Sequence, residues 1–229
     1  MLPADLQAAE AQALQALRSA LSADGAGRWI LELRFEGLRL LPVALRLADR
    51  LLESGTELHL LFPDAGATAL ARRDGPELAE RIASFADRRR LQSETPSQGV
   101  LLLVAPSQAE YEEVEQLCTA HRGAVVLLNP SLEDAAVGIG SVARQRRRGF
   151  LAQWQAAYAL IPQAASALRR AHPGPWELYR LDADGFRLVA ETEQKPDAEQ
   201  QEQLLNGGEA AGLGSGLRSL NQLIEGLQR

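Results

Sequence analysis

Residues 99–149 constrain the fold more than any other stretch of the chain. They run V-L-L-L-V-A-P-S, then a helical segment S-Q-A-E-Y-E-E-V-E-Q-L-C, then A-V-V-L-L-N-P-S. After a glycine-rich turn, V-G-I-G-S, comes A-R-Q-R-R-R-G. Two continuous Val/Leu runs separated by one amphipathic segment are the pattern of a βαβ unit whose parallel strands are buried on both faces. The class is therefore α/β. No nucleophile, metal cluster or acid/base pair stands beside these strands, so the stretch points to a fold without pointing to a reaction.

The rest of the chain extends this unit. Residues 3–22 repeat Leu6, Leu14, Leu17 and Leu21 at helical spacing, with Asp5 and Glu10 early, where acidic groups suit the positive end of a helix dipole. D-G-A-G at 24–27 stops this helix, and W-I-L-E-L-R-F follows as a strand with Trp29, Leu31, Leu33 and Phe35 on one face. Residues 40–54 read as an apolar helix with Pro42 in its first turn and Gly55 just past its end, and T-E-L-H-L-L-F is a second strand. Residues 65–98 are more polar and predict one or two short helices and a surface loop, with Ile82 and Phe85 pointing inward. Residues 142–162 begin basic and become apolar, with Phe150, Trp154 and Tyr158 at four-residue spacing, the stripe of a core helix.

From 175 to 193 the period changes to two, W-E-L-Y-R-L-D and F-R-L-V-A-E-T around Asp184-Gly185, which predicts an antiparallel β-hairpin. A short helix closed by Gly207 comes next, then a Gly/Ser-rich lead into Leu217, Leu220, Leu223, Ile224 and Leu227 at helical spacing. The expected architecture is a three-layer α/β sandwich with a mostly parallel sheet, a C-terminal antiparallel hairpin and a terminal helix. The expected organisation is an amphipathic helix over 1–27, one α/β domain over 28–206, and a linker with a terminal helix over 207–229. That last helix must bury its apolar face on its own domain or on a partner.

Three apolar runs end alike, in F-P-D, A-P-S and N-P-S. Proline ends each strand by removing a ladder donor, and Asp64 and Ser107 can cap a following helix. Such ends, Asn129 among them, could line the carboxyl edge of a parallel sheet, where open α/β sheets hold ligands. Beside them, Gly138 and Gly140 permit close backbone approach, Ser141 can cap the next helix, and Arg144 or Arg147 could close over a phosphate or carboxylate. This is the one candidate anion site. The plainer reading gives the strand ends as efficient turns and the arginines as a solvated helix face.

Other chemistry is excluded more easily. There is no G-x-x-x-x-G-K-S/T phosphate loop and no G-x-S-x-G elbow. His59, His121 and His172 stand far apart with no Cys or carboxylate at ligand spacing, so neither a metal nor a cofactor is expected. Cys118 is alone, which suits a reducing compartment, and lacks a neighbour that would lower its pKa. A net charge of -6 argues against nucleic acid as a partner. The N-terminus lacks the pattern of a signal peptide and no run approaches a membrane span, so a cytoplasmic protein is expected.

The order of these signals resembles a family of cyanobacterial and chloroplast proteins. It is the domain of unknown function found in the plant "low photosystem II accumulation" type of auxiliary protein and appended to some chloroplast adenylate kinases. The resemblance is carried by F-P-D, L-L-L-V-A-P-S, V-V-L-L-N-P-S-L with G-I-G and the arginine cluster, F-L-A-Q-W-Q-A-A-Y-A-L-I-P, P-G-P-W-E-L-Y and K-P-D-A-E, across residues 28–206. It implies a protein of an oxygenic phototroph, cytoplasmic or peripheral at the thylakoid surface, linked to photosystem II biogenesis, with no catalytic residues to carry over. The expected function is thus a non-enzymatic assembly factor whose partners are photosynthetic complex subunits or other assembly factors. The alternatives are a protein that binds or turns over a phosphorylated small molecule at the strand ends, and a membrane-surface adaptor that uses its arginines and terminal helix.

Overall fold

The computed structural model describes residues 1–94, 98–132 and 141–207, the side chains of 93, 94, 141–144 and 146 excepted. Six parallel strands form the larger part of a nine-stranded sheet: β1 (Arg28–Leu33), β2 (Leu58–Phe62), β3 (Ile82–Ser84), β4 (Val100–Val104), β5 (Val125–Leu128) and β6 (Gln155–Pro162). Antiparallel strands β7 (Ser166–Ala171), β8 (Trp176–Asp182) and β9 (Gly185–Thr192) complete it in the order β3-β2-β4-β5-β1-β6-β7-β8-β9. The helices are α1 (Leu6–Ala23), α2 (Leu40–Glu53), α3 (Ala65–Asp74), α4 (Phe85–Glu94), α5 (Tyr111–Ala120), α6 (Ser141–Leu151) and α7 (Ala198–Gly207).

Every residue of β4 and β5 is buried, as continuous apolar runs require when helices cover both faces. Leu58, Leu60, Leu102, Val126 and Leu31 face α1 and α2, in a core with Leu17, Ala44 and Leu51. The alternate residues Leu61, Leu101, Leu103, Val125 and Leu127 pack with Phe85 of α4, Tyr111, Val114 and Leu117 of α5, and Phe150 of α6. These are the three layers the patterning predicts. The starts of β4 and β5 approach closely: a Cβ on Gly123 would lie 1.9 Å from the Gly99 carbonyl oxygen, so a side chain there would collide with backbone.

Local signals explain the helix starts. Asp5 caps α1 by accepting from the Ala8 N–H at 2.7 Å. Helix α2 has Pro42 in its first turn, and Gly55, at φ 81°, leaves its far end.

Three local expectations need correction. The aromatic stripe over 142–162 is not one helix: α6 ends at Leu151, and Tyr158 lies in β6. Phe150 and Tyr158 are both buried, but on opposite faces of the sheet. Q-A-A-Y-A-L-I-P gains more by pairing with β1 and β7 on its two edges than by extending a helix. The antiparallel part is larger than the expected hairpin, because β6–β7 and β7–β8 also pair antiparallel. The polar stretch after β2 contains a short edge strand, β3, as well as helices, with Ile82 and Phe85 buried as expected.

A network on the α1 face fastens the antiparallel half. Arg169 binds Glu177 at 2.8 Å and Gln12 at 3.1 Å, and the Tyr158 hydroxyl donates to the same Gln12 oxygen. Burial alone would raise the Glu177 pKa, but the hydrogen bonds from Tyr179 and Arg169 outweigh it and hold this carboxyl below the usual range.

Candidate functional site

Strands β2, β4 and β5 are neighbours and parallel, so the three proline-terminated ends do meet along one carboxyl edge. There they close the backbone. Asp64 Oδ1 accepts from the Ala67 N–H at 2.8 Å and caps α3. Ser107 forms a reciprocal capping box with Glu110: the hydroxyl accepts from the Ala109 N–H at 3.2 Å, and the carboxylate accepts from the Ser107 N–H at 2.9 Å. Asn129 spans to β1, accepting from the Leu33 N–H and donating to the Leu33 carbonyl, each at 2.7 Å.

The two adjacent ends repeat one geometry. Ala105 and Asn129 both take the left-handed conformation, at φ 48° and 49°. Their N–H groups donate to the Leu128 and Leu31 carbonyls at 2.8 Å, and Ser131 pairs back to Pro106. Asn tolerates this conformation; for Ala it costs about 1 kcal/mol, set against the hydrogen bonds it allows.

Of the remaining predicted site residues, Gly138 and Gly140 lie outside the described residues, and Ser141 and Arg144 stand on α6 with their side chains outside them. Arg147 is directed to α5: its guanidinium carbon lies 4.5 Å from the Tyr111 ring centroid, and Glu112 is 3.9 Å away. The structure therefore assembles the three strand ends, engages their polar groups in turns and caps, and places Arg147 against an aromatic ring.

At the opposite, amino-terminal edge, two distant histidines approach each other. His121 is buried between the Gly99 carbonyl at 3.0 Å and the Gln92 amide at 3.3 Å. Burial, with Arg88 adding a like charge, lowers the His59 pKa to about 4. No group of three His, Cys, Asp or Glu side chains among the described residues could hold a metal. Cys118 is buried, and that burial pushes its thiol up to about 12, away from reactivity.

Two further features were not read from the sequence as site features. The first is an apolar surface. Leu181, Phe186 and Leu188 are 47%, 45% and 44% exposed. Leu181 is opposite Phe186, and Leu188 is opposite Tyr179 two residues before Leu181, so all three share one face of the last hairpin. Strand β9 is also the outermost strand, with no further strand beyond it among the described residues. The period-two pattern marked this hairpin, but that no helix among the described residues covers this face is not visible in it; the terminal helix expected over 213–229 lies outside the described residues.

The second is a charged cluster at the end of β1. Glu32, only 9% exposed, meets Arg34 at 3.1 Å and Lys195 at 3.3 Å. Arg34 also donates to the Pro130 carbonyl at 2.6 Å. Lys195 is the single lysine in the chain, the one compositional hint.

Residues 3–203 match the family described as Domain of unknown function (DUF1995), and the chain belongs to that family. The match takes in α1, which the motif order had left outside. No curated protein matches the chain. No helix among the described residues is long and apolar enough to cross a membrane.

Proposed function

We propose, with membership of this family as the premise, that the chain is a non-catalytic auxiliary factor in the assembly of photosynthetic complexes, photosystem II foremost. It works by protein contact through the open face of the β8–β9 hairpin. The observation that carries this reading is the grouping of Leu181, Phe186 and Leu188 as exposed apolar neighbours on a sheet edge. Large side chains placed together in water are what a partner covers, and an outer strand presents backbone donors and acceptors beside them.

The sequence resemblance supports the choice of process, together with a location at the cytoplasmic or stromal side and a peripheral contact with the thylakoid. The rival reading, a phosphorylated metabolite at the three strand ends, needs polar groups directed at a ligand. Asp64, Ser107 and Asn129 direct theirs at backbone.

The test is affinity isolation of the tagged chain from an oxygenic phototroph, with wild type beside a Leu181→Ser, Phe186→Ser, Leu188→Ser variant. Photosystem II subunits should accompany the wild type and be lost from a variant that is still folded by circular dichroism. A wild-type isolate without such subunits, or a variant that retains them, overturns the reading.

A further inference from the structure

Glu32, Ala159, Arg170, Trp176 and Thr192 are successive opposed partners across β1, β6, β7, β8 and β9. Opposed residues share a face, so this is one row of side chains crossing half the sheet. It lies on the face opposite the Arg169–Glu177–Tyr179 network, since Arg169 and Glu177 are the alternate residues of the same strands. Ala159, itself buried, lies between Glu32 and Arg170 in this row.

Both oxygens of Glu32 are engaged, one by Arg34 and the other by Lys195. Lys195 lies 5.4 Å, and the Arg170 guanidinium carbon 5.9 Å, from the centre of the Trp176 ring. Arg170 thus rests on an aromatic ring and, among the described residues, makes no ion pair; its Nε is shielded from water and has no hydrogen-bond partner among them. An unmet donor on a charged group costs free energy unless something outside the chain accepts from it. Burial lowers the Arg170 pKa, with the nearby Glu193 opposing that effect, but the guanidinium stays charged in water.

Charge decides which ligand fits. Arg34 and Lys195 hold the buried Glu32, and Arg170 stands over Trp176 with the exposed Glu193 near it, so three cations meet two carboxylates and one positive charge is left over. An anion answers it, and the oxygens of a phosphate monoester outnumber those of a carboxylate, so they can accept from a guanidinium fork and an ammonium together. The place is also apt: Glu32 is the penultimate residue of β1, close to the carboxyl edge of the parallel strands, where α/β sheets receive ligands. We propose that Arg170 and Lys195 over Trp176, with Arg34 beside them, form a binding site for the phosphate group of a phosphorylated small molecule. None of these residues belongs to the strand-end site predicted from sequence, and the hairpin contact proposed above can fail without affecting this one.

The test is isothermal titration of the full chain with inorganic phosphate at constant ionic strength, with chloride and acetate as controls. Saturable binding of phosphate, with acetate weaker, is expected. Lys195→Gln should weaken it by about tenfold, the size of one charge-assisted hydrogen bond. Arg170→Gln should abolish it, and Glu32→Gln should tighten it, since the competing carboxylate is gone. That last sign separates a ligand site from a structural ion cluster. If Arg170→Gln does not fold, the opposed shifts at the exposed Lys195 and at Glu32 still decide the matter. Absence of saturable binding by the wild type, or equal affinity in wild type and Lys195→Gln, overturns the proposal.

Discussion

The two halves of the sheet treat their polar and exposed groups in opposite ways. In the parallel half, β2, β4 and β5 are buried on both faces, and the polar residues just past their ends, Asp64, Ser107 and Asn129, are tied to backbone N–H and carbonyl groups. In the antiparallel half, an Arg170 donor has no acceptor among the described residues and three large apolar side chains meet water together. A parallel strand must be followed by a crossover, and crossovers need caps, so conspicuous polar motifs at those ends serve the fold first. Antiparallel strands are joined by short turns and can keep one face open. Function is better sought in the half whose groups the fold leaves unanswered.

Substitutions can break or sharpen that contrast. The largest effect belongs to the closed core: Leu103→Ala in β4 should lower unfolding free energy by about 2–5 kcal/mol in urea titrations. Asn129→Ala comes next. It removes two hydrogen bonds to Leu33 and puts alanine at a left-handed position, with an expected loss of about 1–3 kcal/mol. Asn129→Gly should recover the conformational share. If Asn129→Ala is as stable as wild type, the strand end is not a structural clasp and the contrast weakens there. Ser107→Ala and Asp64→Ala should each cost about 1 kcal/mol, measured the same way.

The acid response has a definite sign. His59 is held neutral in the fold, with a pKa of about 4 against 6.5 in the unfolded chain. Between those values the unfolded chain binds more protons, so stability should fall as pH is lowered from about 6.5 to about 4. Burial lowers the His121 pKa too, which acts in the same direction. Glu177 contributes stability that is present above its unfolded value and lost as pH falls through its lower folded one. A His59→Gln variant should show a shallower slope of unfolding free energy between pH 6.5 and 4; an unchanged slope would remove His59 from the explanation. The smallest stability effect is expected at the open hairpin, where Leu188→Ser should stay within about 0.5 kcal/mol of wild type.

What could be read from the sequence divides along the same line. Continuous Val/Leu runs announced β4 and β5 because parallel strands bury both faces, and Asp184-Gly185 announced the last hairpin because its turn requires particular residues. Strand β7 was silent: in S-A-L-R-R-A, each of two adjacent arginines serves a different face, so no periodicity appears. The four-residue spacing of Phe150, Trp154 and Tyr158 suggested one helix although the chain changes element between them. The anion-site residues Asp64, Ser107 and Asn129 were rightly placed along one edge, but their bonding to neighbouring backbone is a tertiary fact. The Glu32–Lys195 pair joins positions 163 residues apart, beyond the reach of any local pattern.

The most direct test of the protein-contact reading compares the two halves in the living host. A photoreactive amino acid is placed at Phe186 on the open hairpin and, as a control, at Leu70, which is 41% exposed on α3. Irradiation is expected to link position 186 to a photosystem II subunit or assembly factor and to leave position 70 without that product. No product at 186, or the same product from both positions, would contradict the claim that this protein works through the open face of its last hairpin.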